Sequence, residues 1–109
     1  MKLLNKKCVP CEGGTLALRN DEIQKYISEL QQPWKVLDNK KITHTFTFKN
    51  FKSAMQFTNA VSDIAENEGH HPDIHIFYNK VQIDLWTHAI GGLSENDFIV
   101  AAKIEKINQ

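Results

Sequence analysis

The strongest constraint on the fold is residues 73–88, which alternate apolar with other side chains on both sides of a short break. Asn79-Lys80 forms the break. A period of two predicts β-strands, and a two-residue break between them is typical of a hairpin turn. The predicted cross-strand pairs are Tyr78 with Val81, Ile76 with Ile83 and Ile74 with Leu85. All six side chains then share one face, so the stretch predicts an antiparallel hairpin with one buried face.

A second hairpin and three helices are predicted in the rest of the chain. The predicted elements are a helix over about residues 20–30, strands over 34–37 and 41–48, a helix over 51–68, strands over 73–78 and 81–88, and a helix beginning at Ser94. Asn50 is a candidate N-cap, Gly69 a candidate left-handed helix end, and Asp97 a candidate N3 partner of Ser94. The order α-β-β-α-β-β-α predicts an α+β fold, a four-stranded antiparallel sheet with the helices packed on one face.

Length and charge set broad limits on function. The chain has 109 residues, which predicts a single domain over 1–109, with 1–19 as an irregular lead-in. A formal net charge of zero argues against a nucleic-acid surface. The sequence offers no apolar run near the ~20 residues that a membrane span needs. The lysine-containing start, Met1–Lys7, lacks the apolar segment of a signal peptide, so we expect a cytoplasmic protein.

The two cysteines, Cys8 and Cys11, stand in a Cys-x-x-Cys arrangement. This spacing occurs in redox pairs and in halves of zinc sites, but a zinc site needs two further ligands. Pro10 and Gly13-Gly14 surround the pair with loop-forming residues. The favoured interpretation is two reduced thiols in a mobile N-terminal segment.

Three histidines are expected to meet where the second hairpin opens. His70 and His71 follow the second helix, and the predicted pairing places His71 opposite His88, with Cβ atoms ~4.5–5.5 Å apart. Glu66 precedes His70 by four residues, which is within reach if the last helical turn persists. Imidazole has an ordinary pKa of roughly 6.5, so it exchanges protons near neutral pH. The cluster therefore predicts a site for proton transfer.

Two other interpretations of the histidines remain open. The rings could be only helix-end and strand-end residues, or they could supply three nitrogen ligands to a metal. Adjacent strand residues point to opposite faces, which disfavours chelation by the doublet. His44 and His75 are predicted to be structural, with His75 on the outward sheet face opposite Asp84.

Four short motifs follow one another between residues 66 and 97. They are Glu66-x-x-x-His70-His71-Pro72-Asp73-Ile74, Tyr78-Asn79-Lys80-Val81, Leu85-Trp86-Thr87-His88 and Gly92-Leu93-Ser94-x-x-Asp97. Together they resemble the pterin-4a-carbinolamine dehydratase family over roughly residues 20–107. The Cys8-Val9-Pro10-Cys11 lead-in is similar to that of bacterial members. Ala89-Ile90 departs from the pattern, because many members carry an acidic residue there.

The resemblance implies a hydro-lyase. Such enzymes remove water from 4a-hydroxytetrahydropterin (4a-hydroxytetrahydrobiopterin) to give the quinonoid dihydropterin, which recycles the cofactor of aromatic amino acid hydroxylases. No metal or redox cofactor is implied. By the family pattern His70 and His88 would be the acid and base, and His71 would bind and orient the pterin. Glu66 would fix the His70 ring. The supporting substrate-site residues would be Pro72, Thr87 and Asp97, although Asp97 could equally be only a helix cap.

The resemblance also implies a homodimer or homotetramer. Phe77 and Trp86 fall on the outward sheet face in the predicted register, which suggests a covered surface. Two other functions remain open. One is a non-catalytic dimerisation cofactor or transcriptional coactivator, which some animal members also provide. The other is a pterin-binding role in molybdopterin metabolism.

Overall fold

The computed structural model describes residues 3–9 and 16–107, and its elements follow the predicted order. The helices are α1 (Asn20–Ile27), α2 (Phe51–Glu68) and α3 (Glu95–Glu105). The strands are β1 (Lys35–Leu37), β2 (Lys41–Thr47), β3 (Asp73–Phe77) and β4 (Lys80–Leu85). Short 3-10 helices cover Leu3–Asn5 and His88–Ile90. The first lies within the predicted irregular lead-in, where Leu3 is buried in the core.

The four strands form one antiparallel sheet in the order β1-β2-β4-β3, with β4 at the centre beside β2. Alternate side chains of these two central strands are buried, as the period of two predicts: Ile42 and Phe46 from β2, and Val81, Ile83 and Leu85 from β4. They share one hydrophobic core with α1, α2 and α3. The α+β class is confirmed. Among the helices of the described residues, none is both long and apolar enough to cross a bilayer.

The second helix has the predicted bounds because both of its ends are chemically specified. The Asn50 side chain accepts a hydrogen bond from the Ser53 backbone N–H at 2.8 Å, so it is the N-cap. Gly69 ends the helix in the left-handed conformation with φ 65°. The first helix is shorter than predicted and ends at Ile27 instead of about Leu30.

The hairpin register differs from the predicted one by two residues. Ile74 pairs with Ile83 and Ile76 with Val81, so the turn consists of Tyr78-Asn79 instead of Asn79-Lys80. Asn79 fixes this turn from a distance: its side-chain amide donates to the Phe48 carbonyl, and its own carbonyl accepts from the Phe48 N–H. A slip of two keeps every side chain on its predicted face, which is why the apolar pattern could not detect it.

Strand β3 lies at the sheet edge and is less buried than predicted. Tyr78, expected in the core, is 69% exposed, and Ile76 is 37% exposed. In the first hairpin Leu37 pairs with Lys41, which leaves residues 38–40 between the strands. Asp38 and Asn39 both take positive φ there, a conformation that Asp and Asn tolerate better than most residues.

Candidate active site

The three predicted site histidines line a single cleft of about 730 Å³. Its walls come from the segment after α2, the segment after β4, the start of α3 and the N-terminal segment. The lining residues are Cys8, Val9, Glu68, Gly69, His70, His71, Pro72, Asp73, Trp86, Thr87, His88, Ala89 and Asn96. A volume of this size suits a small-molecule ligand. A second cleft of about 790 Å³ lies elsewhere, and Lys49 is the one ionisable residue in its lining as described.

His70 is held by a buried carboxylate from another element. Its Nε2 lies 2.6 Å from Oδ1 of Asp97, which is completely buried at the start of α3. The His70 ring is itself only 13% exposed. A carboxylate accepts and does not donate, so this contact places the ring N–H on Nε2 and leaves Nδ1 for a ligand.

Asp97 belongs to a small buried polar network. Its Oδ2 accepts the Thr87 hydroxyl at 2.8 Å and the Ser94 backbone N–H at 2.9 Å. The Ser94 hydroxyl lies 2.8 Å from Thr87 Oγ1. Asp97 is therefore both the predicted N3 cap residue of α3 and the partner of His70. The predicted helix-cap role is confirmed, and the role of Asp97 as a supporting substrate-site residue stays a prediction.

Glu66 contacts His71 and not His70, so the predicted Glu66–His70 pair is wrong. The distance from His71 Nε2 to Glu66 Oε2 is 2.5 Å. Both side chains are exposed, at 60% and 75%, and an ion pair at such a surface contributes little to stability. Gly69 explains the difference: its left-handed conformation ends the helix before residue 70, so the spacing of four no longer places His70 above Glu66. Glu66 is not among the residues lining the cleft as described.

His88 lies in a 3-10 helix and not opposite His71 in the ladder, which corrects the prediction. The slip of two in the register removes that pairing, and β4 ends at Leu85. The ring of His88 packs instead on Trp86, with the ring centroids 3.9 Å apart. Trp86 lines the same cleft and is half-buried, and its indole N–H donates to Asp73 Oδ2 at 3.4 Å on the outward side of the sheet, where the sequence predicted it. Phe77 lies exposed, at 58%.

The two remaining histidines sit outside the cleft. His44 packs between Trp34 and Phe46, with ring centroids at 5.6 Å and 4.6 Å, and burial lowers its pKa. His75 Nε2 lies 3.2 Å from Asp84 Oδ2, although in the ladder Asp84 pairs with Asp73. Both positions agree with the predicted structural roles.

The N-terminal segment forms one wall of the cleft, which the sequence did not predict. The Cys8 backbone N–H donates to Glu68 Oε1 at 2.9 Å, so Cys8 is not part of a loose lead-in. Glu68 is itself paired with Lys103 at 2.6 Å. Burial works against ionisation of Glu68, but the Lys103 and Cys8 hydrogen bonds together hold its pKa below the ordinary value. Cys11 lies outside the described residues.

The Cys8 thiol is expected to be unreactive. Burial, reinforced by the Glu68 carboxylate, raises its pKa to about 12, and only the thiolate is nucleophilic. In a Cys11→Ser variant at pH 8, iodoacetamide should therefore alkylate Cys8 roughly 100-fold more slowly in the folded chain than in urea. Mass spectrometry of quenched samples gives both rates. Equal rates in the two states would contradict the burial of the thiol.

Among the described residues, the geometry brings no three His, Cys, Asp or Glu side chains together in an arrangement suited to a metal ion. His70 and His71 each face a separate carboxylate, on α3 and on α2. The site does offer three imidazoles in one cleft, of which His70 and His88 come from different segments. Such groups can donate and accept protons on a bound ligand.

The family model described as pterin 4 alpha carbinolamine dehydratase matches residues 16–107. The chain belongs to this family. A protein of Alkaliphilus metalliredigens, named as a provisional pterin-4-alpha-carbinolamine dehydratase, is 51% identical over 104 residues, which cover 95% of this chain and 94% of the relative. A protein of Nitrosomonas eutropha with the same name is 48% identical over 105 residues, covering 96% and 92%.

Two solved structures of similar proteins share the fold. The transcriptional coactivator/pterin dehydratase from Brucella melitensis superposes with a TM-score of 0.77 at 32% identity, over 82% of this chain and 95% of that chain. A pterin dehydratase-like protein described as a RuBisCO assembly factor of the alpha-carboxysome has a TM-score of 0.60 at 21% identity, over 69% and 88%. The second likeness shows the fold alone.

Proposed function

We propose that the chain is a 4a-hydroxytetrahydropterin dehydratase that acts on 4a-hydroxytetrahydrobiopterin or a close relative. The observation that carries the proposal is the His70–Asp97 pair in a cleft that also contains His88. The family match and the names of its relatives support the same activity. Removal of water from this substrate requires one proton to be given and one to be taken, which suits two imidazoles.

The proposed reaction balances without any group beyond the chain and its substrate. The 4a hydroxyl leaves as water once one imidazolium protonates its oxygen. The N5 lone pair forms the C4a=N5 double bond as the C4a–O bond breaks, and the second imidazole accepts a proton from the ring. The His70 ring suits either role, because Asp97 orients it and an imidazole can both give and take a proton.

The other site residues have supporting roles in the proposal. His71 and Pro72 form the lip of the cleft and contact the pterin, and Thr87 keeps Asp97 in place through its hydroxyl. Glu66 acts on His71, which it contacts, instead of on His70.

The direct test is turnover of a synthetic 4a-hydroxytetrahydropterin by the purified wild-type chain. We expect formation of the quinonoid dihydropterin, followed by its absorbance, to exceed the spontaneous rate clearly, with and without a metal chelator. A rate equal to that of the protein-free blank would overturn the proposal. A rate abolished by the chelator alone would instead favour the metal alternative. Turnover of biopterin-type pterins against other pterins separates recycling from a role in molybdopterin metabolism.

A homodimer or homotetramer is part of the proposal. Strand β3 lies at the edge of the sheet, and Ile76, Phe77 and Tyr78 at its end are exposed. An edge strand with exposed apolar side chains is a favourable pairing surface. Sedimentation of the native protein should give a species heavier than the 12.5 kDa chain. A clean monomer at micromolar concentration would contradict it.

The coactivator function in the name of the Brucella melitensis protein is the second candidate. Such a role would depend on exposed surface and not on the histidines. Partner capture that is unaffected by histidine substitutions, in a chain without turnover, would favour it. The expected cytoplasmic location stays a prediction.

A further inference from the structure

The N-terminal wall of the cleft is built from residues Lys6–Val9, which we call the strap. It lies outside residues 16–107, which match the family model. Even so, Cys8 and Val9 line the cleft beside His70 and His88. Part of the candidate active site is therefore supplied by a segment outside the residues that the family model matches.

The strap is held by hydrogen bonds and an ion pair from Asn96, Glu68 and Glu95, which lie close in sequence to the site residues Asp97 and His70. Asn96, next to Asp97, clamps Val9 with two reciprocal hydrogen bonds: its amide donates to the Val9 carbonyl at 2.6 Å, and its Oδ1 accepts the Val9 N–H at 3.1 Å. Glu68, two residues before His70, accepts the Cys8 N–H. Lys6 makes an ion pair with Glu95 at the start of α3. The strap thus shares its supports with the residues that hold His70.

These contacts decide what the strap can present to a ligand. Both backbone groups of Val9 are used by Asn96, and the Cys8 thiol donates to the Asn96 carbonyl at 3.6 Å. The free surface of the strap at the cleft is then mostly apolar, with the Val9 side chain 65% exposed. Such a wall offers few hydrogen-bonding groups to the polar edge of a pterin, but it can pack against an apolar face or an alkyl substituent.

We infer that Val9 is a substrate-binding residue that packs on the apolar part of the bound pterin, and that Asn96 is the positioning residue that holds it there. The inference rests on the proposed dehydratase function. It assigns the strap to binding and selectivity and leaves proton transfer to the histidines.

Two variants test the inference. Val9→Ala should raise KM about three- to tenfold with kcat within a factor of about two, because it removes apolar contact without touching the proton-transfer groups. Asn96→Ala should raise KM by at least as much, because it releases the strap. The loss should be greater for a 6-methyl pterin than for one without a C6 substituent. Affinity for 7,8-dihydrobiopterin, measured by calorimetry, should fall in parallel and does not depend on turnover.

Matched controls separate binding from general destabilisation. Leu37→Ala removes an exposed apolar side chain on β1, and Asn50→Ala removes the asparagine cap at the start of α2, both outside the cleft. Neither should change KM. Val9 is exposed, so Val9→Ala should retain the wild-type unfolding midpoint even if Asn96→Ala folds poorly. Unchanged KM and affinity in Val9→Ala, or a fall in kcat alone, would overturn the inference while leaving the dehydratase proposal intact. A wild-type chain that neither turns over nor binds a pterin would overturn both.

Discussion

His70→Ala and His88→Ala are each expected to lower the dehydration rate at saturating substrate by at least about tenfold, within a range that reaches 10²–10⁴-fold for general acid–base groups. The reason is that each removes one of the two imidazoles that are proposed to transfer protons in the cleft. The measurement is kcat with a synthetic 4a-hydroxytetrahydropterin, corrected for spontaneous dehydration. His71→Ala should instead raise KM more than it lowers kcat, because His71 lies at the exposed lip.

His75→Ala is the matched control for these substitutions. His75 also faces a carboxylate, Asp84, but it lies on β3 and does not line the cleft. Its kcat should stay within about twofold of wild type, and circular dichroism should show that all the variants are folded. Wild-type rates in both His70→Ala and His88→Ala would sink the assignment of the histidines as acid and base.

Asp97→Ala is expected to lower the free energy of unfolding by roughly 2–4 kcal/mol and to reduce turnover as well. The carboxylate is completely buried and accepts from Thr87 and Ser94 while it orients His70. Its removal leaves buried polar groups without their acceptor and also removes the cap of α3. Urea unfolding of the variant measures the effect. Asp63→Ala, at an exposed position on α2, is the control and should change stability by less than about 0.5 kcal/mol.

Asp97→Asn separates the structural role of this residue from its chemical one. The amide oxygen can still accept from Thr87 and Ser94, so most of the stability should return. The amide nitrogen would then face His70 Nε2 as a donor, which favours the opposite imidazole tautomer and removes the negative charge. We expect kcat to stay well below wild type although the fold recovers. Full recovery of kcat would show that Asp97 is only a helix cap.

The sequence predicted the identity of the elements well because local chemistry sets it. Asn50 and Gly69 specify the ends of α2 through a side-chain cap and a left-handed glycine, and both act within a few residues of the helix. The period of two in β2 and β4 places the apolar side chains on the helix-covered face whatever the register. The ordered motifs then indicated the family.

The sequence did not predict the register of the second hairpin, and the site contacts changed with it. The apolar pattern is unaffected by a slip of two, so the turn at Tyr78-Asn79 depends on the hydrogen bonds between Asn79 and Phe48. That contact joins segments far apart in the chain. In the observed register His71 and His88 do not face each other. His71 contacts Glu66 instead, and His88 packs on Trp86.

By itself, then, the sequence determined the order of the elements, the two faces of the sheet and the gathering of His70, His71 and His88 at one cleft. Only the tertiary structure decided that Asp97, rather than Glu66, supports His70, and that Cys8 and Val9 close one wall. The physical reason is the range of the interactions. Periodicity and capping act between near neighbours, whereas a buried carboxylate meets its partner only after helix α3 has packed against the end of α2.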